Sequence, residues 1–358
     1  MQAHNMNELD LLNQHISNAY RVNSETVNLL TKRFGVLSAE LIRDLRIHLD
    51  DLTDAELKAL QSGKYTTPRL KELKQDIDHW YSQLKEELPA LFMESTLPYA
   101  AYEAAFMARL YANEVDLKAE SILREAKKKP IAGGMLYDEI FDNLALKTRN
   151  QTMHVLRNGI ASGWTTKQIT SEIKVLQEST QRNIEADVRT IRNHVANTAY
   201  EQTFKALGFK YVTFLATLDG RTSKICSLND RKTWRVDEPH PTPPLHYQCR
   251  SVLVGVETKD GMIDGKRPFV ADDRPVRKIP KSEREGKIGQ VDANTKYPEW
   301  FAKQDAQFQK NWLGQTRYEL YKKGGLSLDK FADPLTGKQY TLAELKRKDD
   351  ELFKQLGL

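Results

Sequence analysis

Apolar residues recur every three or four positions through much of the first two hundred residues, the period of helices with one buried face. Leu30, Phe34, Leu37, Leu41 and Leu45 form one such stripe, with Ser38 placed to cap its second segment. Residues 63–68 interrupt the pattern. Leu70, Leu73, Ile77, Trp80, Tyr81, Leu84 and Leu88 resume it and predict a long helix ending at Pro89. Residues 98–115 read as a third helix, whose Ala101, Ala104, Ala105, Ala108 and Ala112 make a face suited to core packing or to a partner. Further on, Leu136, Ile140, Leu144, Met153, Leu156 and Ile160 predict a helical pair. Thr165 or Thr166 can cap a short helix through Ile169 and Ile173. Ile184, Val188, Ile191 and Val195 predict a well-packed helix over 181–206, and His194 beside that stripe reads as hydrogen-bonded structure rather than a ligand.

After Gly208 the period changes. Residues 211–217, 232–236 and 251–256 are rich in strand formers. The expected fold is therefore α+β, predominantly helical with a small antiparallel β region. The run Lys127-Lys128-Lys129-Pro130 before Gly133-Gly134 marks a boundary. Residues 259–290 mix Gly, Pro and charge and read as an extended arm lying on a neighbour. These breaks divide the chain into a helical region 1–130, a helical plus β domain 131–258, and an arm with a helical return 259–358. On that division residues 135–358 fold without 1–130.

Composition narrows the class only modestly. The 358 residues are 40% hydrophobic, enough for a core, and 29% charged. No apolar run reaches the roughly 18 residues of a membrane span, and residues 1–10 lack an apolar signal core. The net charge of +5 is a small difference between 54 basic and 49 acidic residues, which permits DNA contact without requiring it. Local clusters at Lys127, Lys128 and Lys129, around Arg277 and Lys278, and over 346–348 are either solvated faces or contacts to DNA phosphate or an acidic partner.

The chemistry concentrates between residues 211 and 250, which hold both cysteines. Cys226 lies in one arm; His246 and Cys249, three apart, lie in a second. Pro239, Pro241, Pro243 and Pro244 stiffen the connection between them. Thiolate and imidazole are zinc ligands, so these three residues are a candidate structural zinc site, with Ser223, Asp219, His240 or water as the fourth ligand. Two alternatives stand beside it: packed thiols with an Asp219–Arg250 ion pair, or a Cys226–Cys249 disulfide formed after release from a cell. Asp219-Gly220 predicts a turn that exposes Arg221, Thr222 and Ser223. An acid–base pair of Asp219 and His246, or a Cys226 nucleophile with His246 as base, would make the site catalytic. No phosphate loop, HExxH or GxSxG supports that reading, and no small-molecule pocket is evident.

Asp219, Arg221, Thr222 and Cys226, followed by Pro243-Pro244-Leu245-His246 and Cys249-Arg250, resemble the signature of the Mu F-like head-morphogenesis proteins of tailed phages. Members of that family begin the block with Thr-Cys-x-x-Cys or Thr-Ser-x-x-Cys and end it in PLHPNCRC. Here Tyr247-Gln248 stand for Pro-Asn, and Ser251 stands for the last Cys. The resemblance extends to residues 159–165, to 188–190 and to Trp312-Leu313-Gly314-Gln315-Thr316-Arg317, covering roughly 140–358. It implies a non-enzymatic minor capsid protein made in the host cytoplasm and carried in the virion, at the head interior or portal. Portal, capsid and scaffold proteins would be its partners, and packaged DNA another. The alternatives from other classes are a zinc-stabilised DNA-binding module and a metal-dependent nuclease.

Overall fold

A computed structural model describes residues 8–111, 114–272, 274, 276–334 and 336–358. Six helices come first: α1 (Glu8–Asp50), α2 (Asp54–Gln61), α3 (Pro68–Leu110), α4 (Ala119–Lys128), α5 (Tyr137–Ala161) and α6 (Thr166–Leu207). Strands β1 (Tyr211–Leu215) and β2 (Leu218–Asp219), helix α7 (Lys224–Asn229), and strands β3 (Thr233–Arg235), β4 (Val252–Val256), β5 (Lys266–Val270) and β6 (Ile288–Asp292) follow. Five short helices close the chain: α8 (Tyr297–Ala302), α9 (Ala306–Leu313), α10 (Gln315–Lys322), α11 (Leu342–Lys348) and α12 (Asp350–Leu356). The α+β expectation holds.

Residues 19–100 and 119–192 form one compact unit; a second takes the described residues of 1–18, 101–118 and 193–358. Three of the four divisions fall inside α1, α3 and α6, and the fourth falls at the start of α4. Charge runs and glycines mark where a helix stops, whereas a compact unit is set by which faces bury one another.

In the first unit the α1 stripe Leu30, Phe34, Leu37, Leu41 and Leu45 is buried in one core with Leu73, Ile77 and Trp80 of α3, Ile140 and Phe141 of α5, and Ile184, Val188 and Ile191 of α6. Each such side chain taken from water contributes roughly 1.5–3 kcal/mol. That packing explains two departures from the sequence pattern. Pro89 and Pro98 lie inside α3 instead of ending it. A helix-interior proline costs about 3 kcal/mol, which burial of Leu84, Leu88 and Phe92 about Pro89, and of Tyr99 and Ala100 after Pro98, outweighs. Ser38 is buried in mid-α1, where its carbonyl accepts from Gln177 Nε2 at 3.4 Å, and caps nothing. Thr165 does act as a cap: its Oγ1 accepts from Gln168 N while Gln168 Oε1 accepts from Thr165 N. The helix it begins is not short, because α6 runs unbroken for 42 residues.

In the second unit Ala104 and Ala108 are buried while Ala101 and Ala105 are exposed; Ala112 lies outside the described residues. Strand β1 pairs antiparallel with β3 on one side and β4 on the other. The outer edge of β4 is met by α6, where Asn197 Oδ1 accepts from Leu253 N at 2.9 Å and Asn193 Nδ2 donates to Ser251 O at 3.4 Å. Residues 259–290 contribute to a second sheet. They supply β5, which pairs parallel with β2, and the start of β6, which pairs antiparallel with β5. Arg267 of β5 is only 2% exposed. Below this second sheet Tyr297, Trp300, Phe301, Phe308 and Trp312 form an aromatic core with Leu218 and Phe331.

Candidate metal centre

Cys226 sits in the first turns of α7, whose start is fixed by Ser223: the Ser223 hydroxyl accepts from Cys226 N at 3.4 Å. His246 and Cys249 lie on the segment that leads into β4, with the Cys249 N–H donating to His246 O at 3.2 Å. Antiparallel pairing of β1 with β4 returns this segment to α7. The ligand atoms of Cys226, His246 and Cys249 then lie within 4.8 Å of one another, the one such grouping among the described residues.

The two sulphurs are 3.6 Å apart and both cysteines are buried. Two thiolates on one tetrahedral zinc, each about 2.3 Å from the ion, stand roughly 3.8 Å apart, so the spacing fits that ion. His246 Nδ1 is 2.8 Å from the Tyr247 carbonyl. A carbonyl only accepts, so Nδ1 carries the proton, and in the neutral ring the lone pair is on Nε2. Burial opposes charge on Cys249, yet hydrogen bonds from Cys226 and His246 hold its thiol well below the usual range. The hydrogen bond to Cys249, with burial, pushes Cys226 up. Burial works to lower His246, but its hydrogen bond with Cys249 raises it.

Asp219 is committed elsewhere. Arg250 grips its carboxylate from Nη1 at 2.5 Å and Nη2 at 2.8 Å, the Arg221 N–H donates at 3.0 Å, and Thr222 Oγ1 approaches at 3.2 Å. Burial opposes its ionisation, but the Arg250 guanidinium holds the carboxyl below the usual range. Asp219 is therefore neither the fourth ligand nor the partner of His246. His240 is excluded from the ligand set too: it stacks on Trp234, with ring centroids 6.1 Å apart, and stands outside the grouping. The Ser223 and Ser251 hydroxyls favour the Cys226 thiolate, but Cys249 and burial outweigh them. The expected exposed turn is only partly so, since Arg221 is exposed while Asp219 and Thr222 are buried.

The run near the C-terminus joins this site. Trp312 Nε1 donates to Thr222 O at 2.9 Å, and Lys224 Nζ donates to Trp312 O at 2.6 Å. Arg317 Nη2 donates to Tyr340 O at 2.7 Å. Lys127 approaches Asp138 at 3.5 Å and Lys128 pairs with Glu125 at 2.8 Å in the first unit. Arg277 and Lys278 are exposed on a short turn of the second.

Sequence reasoning missed Asp230, Arg267 and the Asn193–Asn197 pair. Asp230 and Arg267 are far apart in sequence, and their types predict exposure. The asparagines carried a weak signal, two amides four residues apart beside the apolar stripe of α6.

A helix-led α+β chain with two cysteines and a histidine gathered beside a buried Asp–Arg pair is the class that fold and site define. Residues 150–254 match the family described as Phage Mu protein F like protein, the family the motif resembles. The matched segment runs from within α5 through α6 to β4 and includes the whole Cys–His–Cys grouping. No curated protein and no solved structure matches the chain.

Proposed function

We propose that this protein acts in phage head morphogenesis, as a minor capsid component bound to the portal and facing the capsid interior. The observation that carries the reading is the match over 150–254 on the segment whose signature residues fold into one site. Portal, capsid or scaffold proteins are the partners in this reading. Arg277 and Lys278, exposed on their turn, are the residues offered to packaged DNA. Lys127 and Lys128 are offered less, being paired with carboxylates of their own unit.

Cys226, His246 and Cys249 would hold zinc as a structural clip joining α7 to the segment before β4. When bound, the ion replaces apolar core that short strands cannot supply. Asp219 and Arg250 keep the β2 end in place, and the Tyr247 carbonyl orients His246. In this reading the site stabilises and does not catalyse.

Retention of a portal protein by the tagged full-length chain, from cells assembling particles, tests the assembly role. Recovery of portal with the chain is the expected result; its absence from both assembling cells and finished particles overturns the reading. The DNA contact has its own measure. Arg277→Ala with Lys278→Ala should weaken DNA binding and lower its dependence on salt by about one to two phosphate contacts.

A further inference from the structure

We infer that Cys226 and Cys249 form a reversible disulfide when the site is free of metal and meets a peroxide. They are the chain's two cysteines, so each has one intramolecular thiol partner. Their sulphurs face each other at 3.6 Å, across a separation of 23 residues in sequence. Closing that gap to a bond of about 2.05 Å takes a side-chain rotation rather than refolding of a strand. Both are buried, at 1% and 4% exposure. A bulky disulfide oxidant is therefore excluded, and a small peroxide is the reagent of the right size. Burial also keeps either sulphur from pairing with a second molecule.

The chemistry balances. One thiolate attacks a peroxide oxygen, breaking the O–O bond to give a sulfenic acid and hydroxide, which takes up the thiol's proton as water. The second sulphur, now a thiolate, then attacks the sulfenic sulphur, forming S–S and expelling hydroxide, which takes up the proton the first thiol released to solvent and becomes the second water. Two thiols and one hydrogen peroxide give one disulfide and two waters. The protein is oxidised and the peroxide reduced. The bond would close the segment that carries β3 and the prolines at 239–244, tying α7 to the chain before β4 without the ion.

If the protein rides in a virion, as proposed above, it is reduced while made in the cytoplasm and meets oxidants after release. The chemistry itself does not depend on that reading, nor on whether metal is present as purified.

The test uses the full-length chain, stripped with a chelator and treated with hydrogen peroxide. Intact mass should fall by about 2 Da, and iodoacetamide under denaturing conditions should alkylate neither cysteine. Dithiothreitol should restore both sites, and the oxidised protein should melt a few degrees above the reduced, metal-free one. Cys249→Ser should lose the mass decrease. Two alkylatable thiols after treatment, a rise of about 16 or 32 Da, or a dimer on a non-reducing gel would each overturn the proposal. Metal content measured before chelation reads the zinc proposal separately.

Discussion

Arg267 of β5 is paired with Asp230, the residue after α7, at 3.0 Å from Nη1 to Oδ2 and 3.1 Å from Nη2 to Oδ1, with side chains only 2% and 0% exposed. Neither charge is left short of partners. Asp230 also accepts from Ala216 N at 2.8 Å and Tyr297 N at 2.7 Å, while Arg267 donates to the carbonyls of Thr295 and Ala216. The pair thereby ties the loop after β1, the end of α7, β5 and the start of α8 to one point. It also reaches the aromatic core, because the backbone N–H that Asp230 accepts from belongs to Tyr297.

Arg267→Ala should therefore destabilise the protein by roughly 3–5 kcal/mol, because it strands a buried carboxylate. Asp230→Asn should cost a similar amount, since it leaves the buried Arg267 guanidinium without its counter-charge. Denaturant melts followed by tryptophan fluorescence measure both. Wild-type stability in Arg267→Ala would show that the pair contributes nothing to the unit.

Cys226→Ala and His246→Ala should each lower the melting temperature of the β-containing unit and remove any bound zinc together, since a structural metal's binding energy is folding energy. A catalytic role makes a different forecast, loss of activity with the fold kept. Elemental analysis with thermal melts separates the two. Unchanged melts in both variants alongside abolished divalent-metal-dependent DNA cleavage would transfer the site to the nuclease reading.

Asp187 of α6 is buried, and desolvation raises its pKa to about 7, with Lys147 only partly opposing. The folded state thus holds a proton that the unfolded chain, titrating near 3.8, has lost. Asp187 costs nothing below about pH 4, and stability falls as pH rises from there through about 7. Asp187→Asn should remove that dependence and stabilise the protein by a few kcal/mol at pH 8, with little change at pH 4. Chemical melts at the two pH values check it, and equal effects at both would contradict the assignment.

Removing residues 1–130 should leave an aggregating fragment. Ile131, Tyr137, Ile140, Phe141 and Leu144 share one core with the stripes of α1 and α3, so the deletion exposes that face. This reverses the independence that the Lys-Pro-Gly-Gly boundary suggested. Size-exclusion chromatography of residues 135–358 decides it: a monodisperse, cooperatively melting fragment would restore the linear division.

Helical stripes, the α-to-β change after Gly208 and the Cys–His–Cys grouping with its Asp219 and Arg250 frame were legible in the chain, because each is written in local spacing or in residue types with few other uses. Periodicity reports which face of a helix is apolar, and that suffices for Leu30 to Leu45 or Ile184 to Val195. It does not report what covers the face. Only tertiary packing decided that α3 continues through Pro89 and Pro98, where burial over many residues exceeds the loss of single backbone bonds. Packing alone also brought β5 beside β2 and made Arg267 and Asp230 an interior pair. Charges are read as exposed until a partner far along the chain desolvates them, and no local pattern names that partner.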